Sequence, residues 1–235
     1  MFGTHAIPLS LKNEELSLLI DKEGDLFVYK REAGNEKKEK IILGNEKKII
    51  INPIEPLNQP KDLSQYLDIE FSRTLTIEPG SSRKIFLKFP LEIGVFLFEK
   101  NTFDVLDIFT LTKPKFTLYG DPHSGMICRY WRSDIFSLPP PLEYYREGVM
   151  ELTLTNTGEE WEEVSKAIFN AYGMKIFYND KMVAMKAEMK VMSQSTAETT
   201  FFDSPLKKGM KKALELYVAK KTPITTTKFM MREGI

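Results

Sequence analysis

With 235 residues, 33 basic and 33 acidic, the chain can form one large β-domain or two ordinary ones, with no overall bias toward nucleic acid or anionic membrane. An apolar share of 42% sustains a core and argues against long disordered stretches. Cys128 is the only cysteine, which excludes an intrachain disulfide and suits a reducing, cytoplasmic setting.

The N-terminal stretch MFGTHAIPLSLKNEEL has no basic region ahead of an apolar core, so no signal peptide is expected. No apolar run approaches the roughly 20 residues of a membrane span. Glutamine is scarce beside lysine and glutamate, a composition that leans toward a thermophilic source.

Period-2 alternation recurs along the chain and helical periodicity is hard to find. Leu16, Leu18 and Ile20 alternate with Ser17 and Leu19, then Lys22-Glu23-Gly24-Asp25 turns into Leu26–Lys30, a hairpin with glycine in its turn. Lys37–Lys48 is charge-rich and reads as an exposed loop or edge. Pro53 to Gln65 is proline-rich. Leu67–Ile77 reads as a strand ending at Glu78-Pro79-Gly80-Ser81, where Pro and Gly suit a type II turn, and Lys84–Phe89 returns.

Further strands are expected at Val95–Phe98, Phe103–Leu111, Lys115–Tyr119 and Met126–Arg132. A second proline-rich stretch, Leu138–Glu147, makes a stiff spacer. Beyond it come Val149–Thr155, Trp161–Phe169, Met174–Tyr178, Met182–Val191, Thr196–Phe202, Ala213–Ala219 and Thr225–Met231. Lys207–Lys220 has helix-forming composition behind Ser204-Pro205, but Gly209 and the alternation of Leu214, Leu216 and Val218 favour one turn of helix and then a strand.

The fold expectation is therefore all-β, in two sandwich-like layers or domains. The division falls near residue 140, between an N-terminal β domain over 1–138 and a seven-stranded, immunoglobulin-like sandwich over 142–235, with one sheet system continuous through both halves as the alternative.

Charge is unevenly spread. From Ser204 onward, eight basic residues (Lys207, Lys208, Lys211, Lys212, Lys220, Lys221, Lys228, Arg232) face Glu215 and Glu233, a tail of +6 against −6 for the rest. A solvated surface complementing the acidic remainder is the plain reading, and a polyanion patch the sharper one. No nucleotide-binding glycine motif, paired RNA-binding aromatics or zinc knuckle accompanies it, so no nucleic acid is expected.

The densest polar segment is Tyr119-Gly120-Asp121-Pro122-His123-Ser124-Gly125, a hairpin loop between strands. Asp121 and His123 have the chemistry of a proton-transfer pair or two metal ligands, but Asp-Pro and Ser-Gly are also ordinary turn chemistry. No metal-binding motif supplies a third ligand, and no metal or cofactor is expected. Ser124 has no hydrolase elbow around it. Cys128 shares a strand face with Met126 and Tyr130 and reads as a buried, inert thiol.

Arg129 and Trp131 fall on one face of the same strand, with Arg132 beside them. Together they offer planar and cationic surfaces for a ring, a sugar or a phosphate, or else an Arg packed on Trp. Trp161 and the methionines Met182, Met185, Met189 and Met192 read as core or interface.

The segments KFTLYGDPHSGMICRYWRS, MELTLTNTGEEWEEVSKAIF and KFMMREGI resemble a family of archaeal all-β proteins of unknown function. The resemblance implies a cytoplasmic archaeal protein and transfers no catalytic residue. On these grounds the leading expectation is a non-catalytic binding or protein-interaction module, with a protein partner or small ligand and room for a homo-oligomer. The alternative is a metal-dependent or acid–base enzyme using the Asp121/His123 loop.

Overall fold

A computed structural model describes residues 1–43, 48–99, 102–217 and 228–235. The protein is all-β, and the only helical element among the described residues is a 3-10 turn, Ala171–Gly173. Strands are numbered along the chain and assemble into four sheets.

The first sheet is an antiparallel meander of β2 (Leu9–Lys12), β3 (Leu16–Glu23), β4 (Leu26–Ala33) and β5 (Glu36–Leu43). Leu16, Leu18 and Ile20 are buried, as their alternation predicts. Gly24 takes φ +65° in the two-residue turn that joins β3 to β4. The charge-rich segment after residue 36 forms the sheet's edge, where its lysines discourage pairing with another chain.

The second sheet orders β1 (Gly3–His5), β6 (Lys48–Ile54), β9 (Glu92–Glu99) and β10 (Thr102–Phe109). Pro53 is tolerated in β6 because β1 pairs only with residues 49–51, so the missing N–H falls where one side of the strand has no ladder. A buried charge cluster ties this sheet to the first. Asp107, with no exposed side-chain surface, accepts from Tyr29 Oη (2.8 Å), Arg31 Nε (2.7 Å) and Lys38 Nζ (2.5 Å).

The third sheet orders β11 (Phe116–Tyr119), β12 (Met126–Ser133), β7 (Tyr66–Ile77) and β14 (Glu162–Asn170), with β12 parallel to β7. The fourth contains β8 (Ser82–Pro90), β13 (Glu147–Asn156), β16 (Val183–Ser193), β15 (Phe177–Tyr178) and β18 (Lys211–Lys212). In addition, β17 (Thr196–Phe202) pairs with β16, and β19 (Phe229–Met231) with β17.

Seven strands, β13 to β19, follow residue 142 among the described residues, but they share sheets with the first half: β14 pairs with β7, and β13 with β8. The proline-rich stretch near residue 140 therefore marks no break in the ladders. One apolar cluster draws residues from all four sheets.

Two local expectations are corrected. Residues 204–212 contain bends and turns before the short strand β18 and no helix. Residues 213–215 are irregular and 216–217 form a turn, as Leu214 N–H donates to Asn52 Oδ1 in place of a continuing ladder. The remainder of the expected strand 213–219, and residues 225–227 of the next, lie outside the described residues.

Candidate functional site

The β11–β12 hairpin places the sequence-predicted residues in three different environments. Its loop is organised by its own backbone. Asp121 Oδ1 accepts from the His123 amide (2.8 Å), and Asp121 O accepts from the amides of Ser124 (3.3 Å) and Gly125 (2.6 Å). A side chain at Gly125 would put its Cβ 2.6 Å from Asp121 O and 2.7 Å from Tyr119 O, so the tight return requires glycine.

The Asp121 carboxylate thus serves the turn, as Asx chemistry does. His123 and Ser124 are exposed. Asp121 and Ser124 border a shallow depression of about 200 Å³ with Met230, Arg232 and Glu233. No group of three or more His, Cys, Asp or Glu side chains that could hold a metal occurs among the described residues.

On β12 the expected pairing of Arg129 with Trp131 at the surface is corrected. Arg129 is only 1% exposed. Phe116, opposite it on β11, covers the guanidinium at 5.6 Å, and Nη1 donates to Lys115 O at 3.5 Å. Its Nε and Nη2 have no protein partner. Burial lowers its pKa, and the charge of Glu92 opposes that shift.

Glu92, at the start of β9, is itself fully buried. Its Oε2 accepts from the Asn58 amide (2.9 Å), whereas Oε1 has no partner. Burial pushes its carboxyl up to about 7, against the opposing pull of Asn58 and Arg129.

Trp131 and Arg132 do reach the surface. They line a groove of about 200 Å³ together with Tyr130, Lys113 and Lys115. The Tyr130 amide donates to Lys115 O (2.9 Å), and Arg129 reaches the same carbonyl, so the segment carrying both lysines is fastened alongside β12. Glu70 holds the other side: it accepts from Tyr130 Oη (2.9 Å) and lies 3.9 Å from Arg132 Nε. Lys113 and Lys115 are exposed, with no carboxylate within ion-pair distance among the described residues.

Cys128 is fully buried, and burial with the nearby Asp68 carboxylate pushes its thiol up to about 12. The thiol therefore cannot serve as a nucleophile with the exposed His123.

Sequence reasoning missed Lys113, Lys115 and Glu92. Glu92 had a readable signal, a charged residue inside the apolar run LEIGVFLF. The two lysines had none, because only the pairing of Tyr130 with Lys115 brings them to β12. In the basic tail, Lys212 pairs with Asp203 and Glu215, and Lys228 with Glu198, while Lys220 and Lys221 lie outside the described residues.

The family model described as protein of unknown function (DUF432) matches residues 1–232. The chain belongs to the DUF432 family. The resemblance carried by the hairpin segment and its two companions is thereby upheld at the level of a family of unknown function. No curated protein and no solved structure matches the chain. Among the described residues of this DUF432 protein, no helix is long and apolar enough to cross a membrane.

Proposed function

We propose that the chain is a non-catalytic binding module of β-sandwich type whose β12 groove takes a small phosphate-bearing ligand with an aromatic ring. The observation that carries this reading is the lining itself. Lys113, Lys115 and Arg132 line the groove with the rings of Tyr130 and Trp131, and the carboxylate beside it, Glu70, is taken up by Tyr130 and Arg132.

Cations aimed at a common volume favour phosphate, and aromatic faces beside them favour a planar ring. The fastening of Lys115 O by Tyr130 and Arg129 supports a site whose backbone is set before the ligand arrives, which limits the ordering cost of binding. The acid–base or metal alternative has less support, since the Asp121 carboxylate is engaged by the loop amide of His123.

The test is a thermal-shift titration at constant ionic strength with inorganic phosphate, AMP and adenosine, because screening alone changes exposed charge interactions. AMP is expected to outperform both fragments, stabilising by about 2.7 kcal/mol at a hundredfold excess over its dissociation constant. The double variant Lys113→Ala/Lys115→Ala should lose that gain, with unliganded stability changed by less than about 1 kcal/mol since both side chains are exposed. An AMP shift that survives in the double variant, or no shift by any of the three, refutes the reading.

A further inference from the structure

A second concave surface lies on the same sheet, away from β12, and its chemistry is different. Of the core or interface expected for Trp161, the core is excluded: the residue is 59% exposed. It precedes β14, where alternation sets Glu163 and Ser165 on its own outward side while Glu162 and Val164 turn inward. Thr76 pairs directly with Glu163 across the β7–β14 ladder, and Thr74 lies two residues further along the same face of β7. Gln194, from the turn between β16 and β17, and Ile235 complete a groove of about 540 Å³, a volume usual for small-molecule sites.

The exposed indole is held rather than loose. The loop 157–160 that delivers it is fixed by Asn156, which is fully buried. Asn156 Nδ2 donates to Ile77 O (3.1 Å) and Glu160 O (2.7 Å), and its Oδ1 accepts from the Gly158 amide (2.9 Å). Thr157 N–H donates to Val191 O at 2.8 Å, fastening the loop to β16 as well. A large aromatic side chain thus sits in water on a scaffold that uses both donors and the oxygen of a buried amide to place it. Leaving an apolar ring exposed gains the fold nothing, whereas a pre-set ring lowers the ordering cost of a ligand.

The lining selects the class of ligand. The hydroxyls of Thr74 and Thr76 and the carboxamide of Gln194 both donate and accept, Ser165 and Glu163 accept, and no cation is among the lining residues. Ser165 Oγ donates to Ile235 O (3.1 Å) and keeps its lone pairs for accepting. Such a set suits a molecule whose polar groups are themselves hydroxyls and whose C–H faces lie flat on an indole. It disfavours anions, and it lacks the several apolar pockets that a peptide needs. We propose that the Trp161 groove binds a neutral saccharide along β14. This site is independent of the β12 groove.

The experiment uses the full chain carrying Trp131→Phe, which leaves Trp161 as the only tryptophan and its fluorescence as a local reporter. The probes are cellohexaose, laminarihexaose, maltohexaose, mannohexaose and xylohexaose at up to millimolar concentration. At least one is expected to change the Trp161 emission saturably and to raise the melting temperature. Thr76→Val, which keeps the shape and removes a hydroxyl, should weaken the response severalfold. In a chain retaining Trp131, Trp161→Ala should abolish the thermal shift while leaving the unliganded melting temperature at the wild-type value, and Lys113→Ala/Lys115→Ala should leave saccharide binding unchanged. Silence with all five hexasaccharides, or a thermal shift that survives Trp161→Ala, overturns the proposal.

Discussion

Replacing Asp107 with alanine should produce a large loss of stability, and the structure shows why. The carboxylate has no exposed surface and receives three side-chain donors, Tyr29 Oη, Arg31 Nε and Lys38 Nζ, as well as the amide of Ile108 at 3.0 Å. Its removal strands a guanidinium that is 4% exposed and stacks on Phe109 at 4.7 Å. Among the described residues the only other carboxylate paired with Arg31 is Glu36, 3.5 Å from Nη1 and 76% exposed, which offers little compensation.

Breaking a buried ion pair on one side costs about 3–5 kcal/mol. For a chain of this size that corresponds to a fall of roughly 6–20 °C in melting temperature. Urea unfolding followed by circular dichroism gives the free energy, and the double variant Asp107→Leu/Arg31→Met should recover part of the loss, because the buried guanidinium is gone and Lys38, 38% exposed, can turn to water, while the Tyr29 hydroxyl still lacks its acceptor. The same cluster has a pH signature. Burial alone would raise the Asp107 pKa, but the donors from Lys38, Tyr29 and Arg31 outweigh it and hold the carboxyl below its usual range. A depressed folded pKa contributes stability that is present above the unfolded value and is lost as pH falls through the folded one. A cost below about 1 kcal/mol for Asp107→Ala would refute the reasoning, since it would mean the cluster carries no net interaction.

Glu92 should act in the opposite sense. Its folded pKa of about 7 lies above the ordinary 4.5, so its contribution is full below 4.5 and lost as pH rises through 7. Glu92→Gln should remove on the order of 2 kcal/mol of pH dependence from that window, measured by urea midpoints across it; an unchanged slope would contradict the assignment. Cys128 should resist thiol reagents in the native protein at neutral pH and react only as fast as the protein opens. Stoichiometric labelling within seconds would show that the thiol is accessible.

Much of the fold was legible because the strands that have one buried face alternate cleanly. Leu16, Leu18 and Ile20, or Leu152 and Leu154, announce both the strand and its inward side. Legibility failed where tertiary contacts override local pattern. Leu214 and Leu216 alternate like a strand, yet the backbone there is claimed by Asn52 and Ile176. The site was legible by location and not by face. The β11–β12 hairpin was visible as a polar loop between strands, but strand alternation cannot tell which face meets solvent when both carry polar residues. That is why Arg129, beneath Phe116, was placed outside. Arginine in a core is rare enough that composition argues against it until its cover is seen.

The pairing of β8 with β13 and of β7 with β14 bears on how the chain reaches this fold during synthesis. Tyr66 finds its partner at Asn170, and Ser82 finds its own at Thr155, so both early strands must wait for residues made much later. Each such contact closes a long loop before it gains any burial, which slows folding. Until then β8 has no β13 to pair with and β7 can pair only with β12, so Leu67, Ile69, Leu87 and Phe89, destined for the core, lack part of their cover. Chain ended near residue 140 would leave β8 without the β13 ladder and β7 with β12 alone, and should be captured by chaperones or aggregate, not accumulate as a folded half.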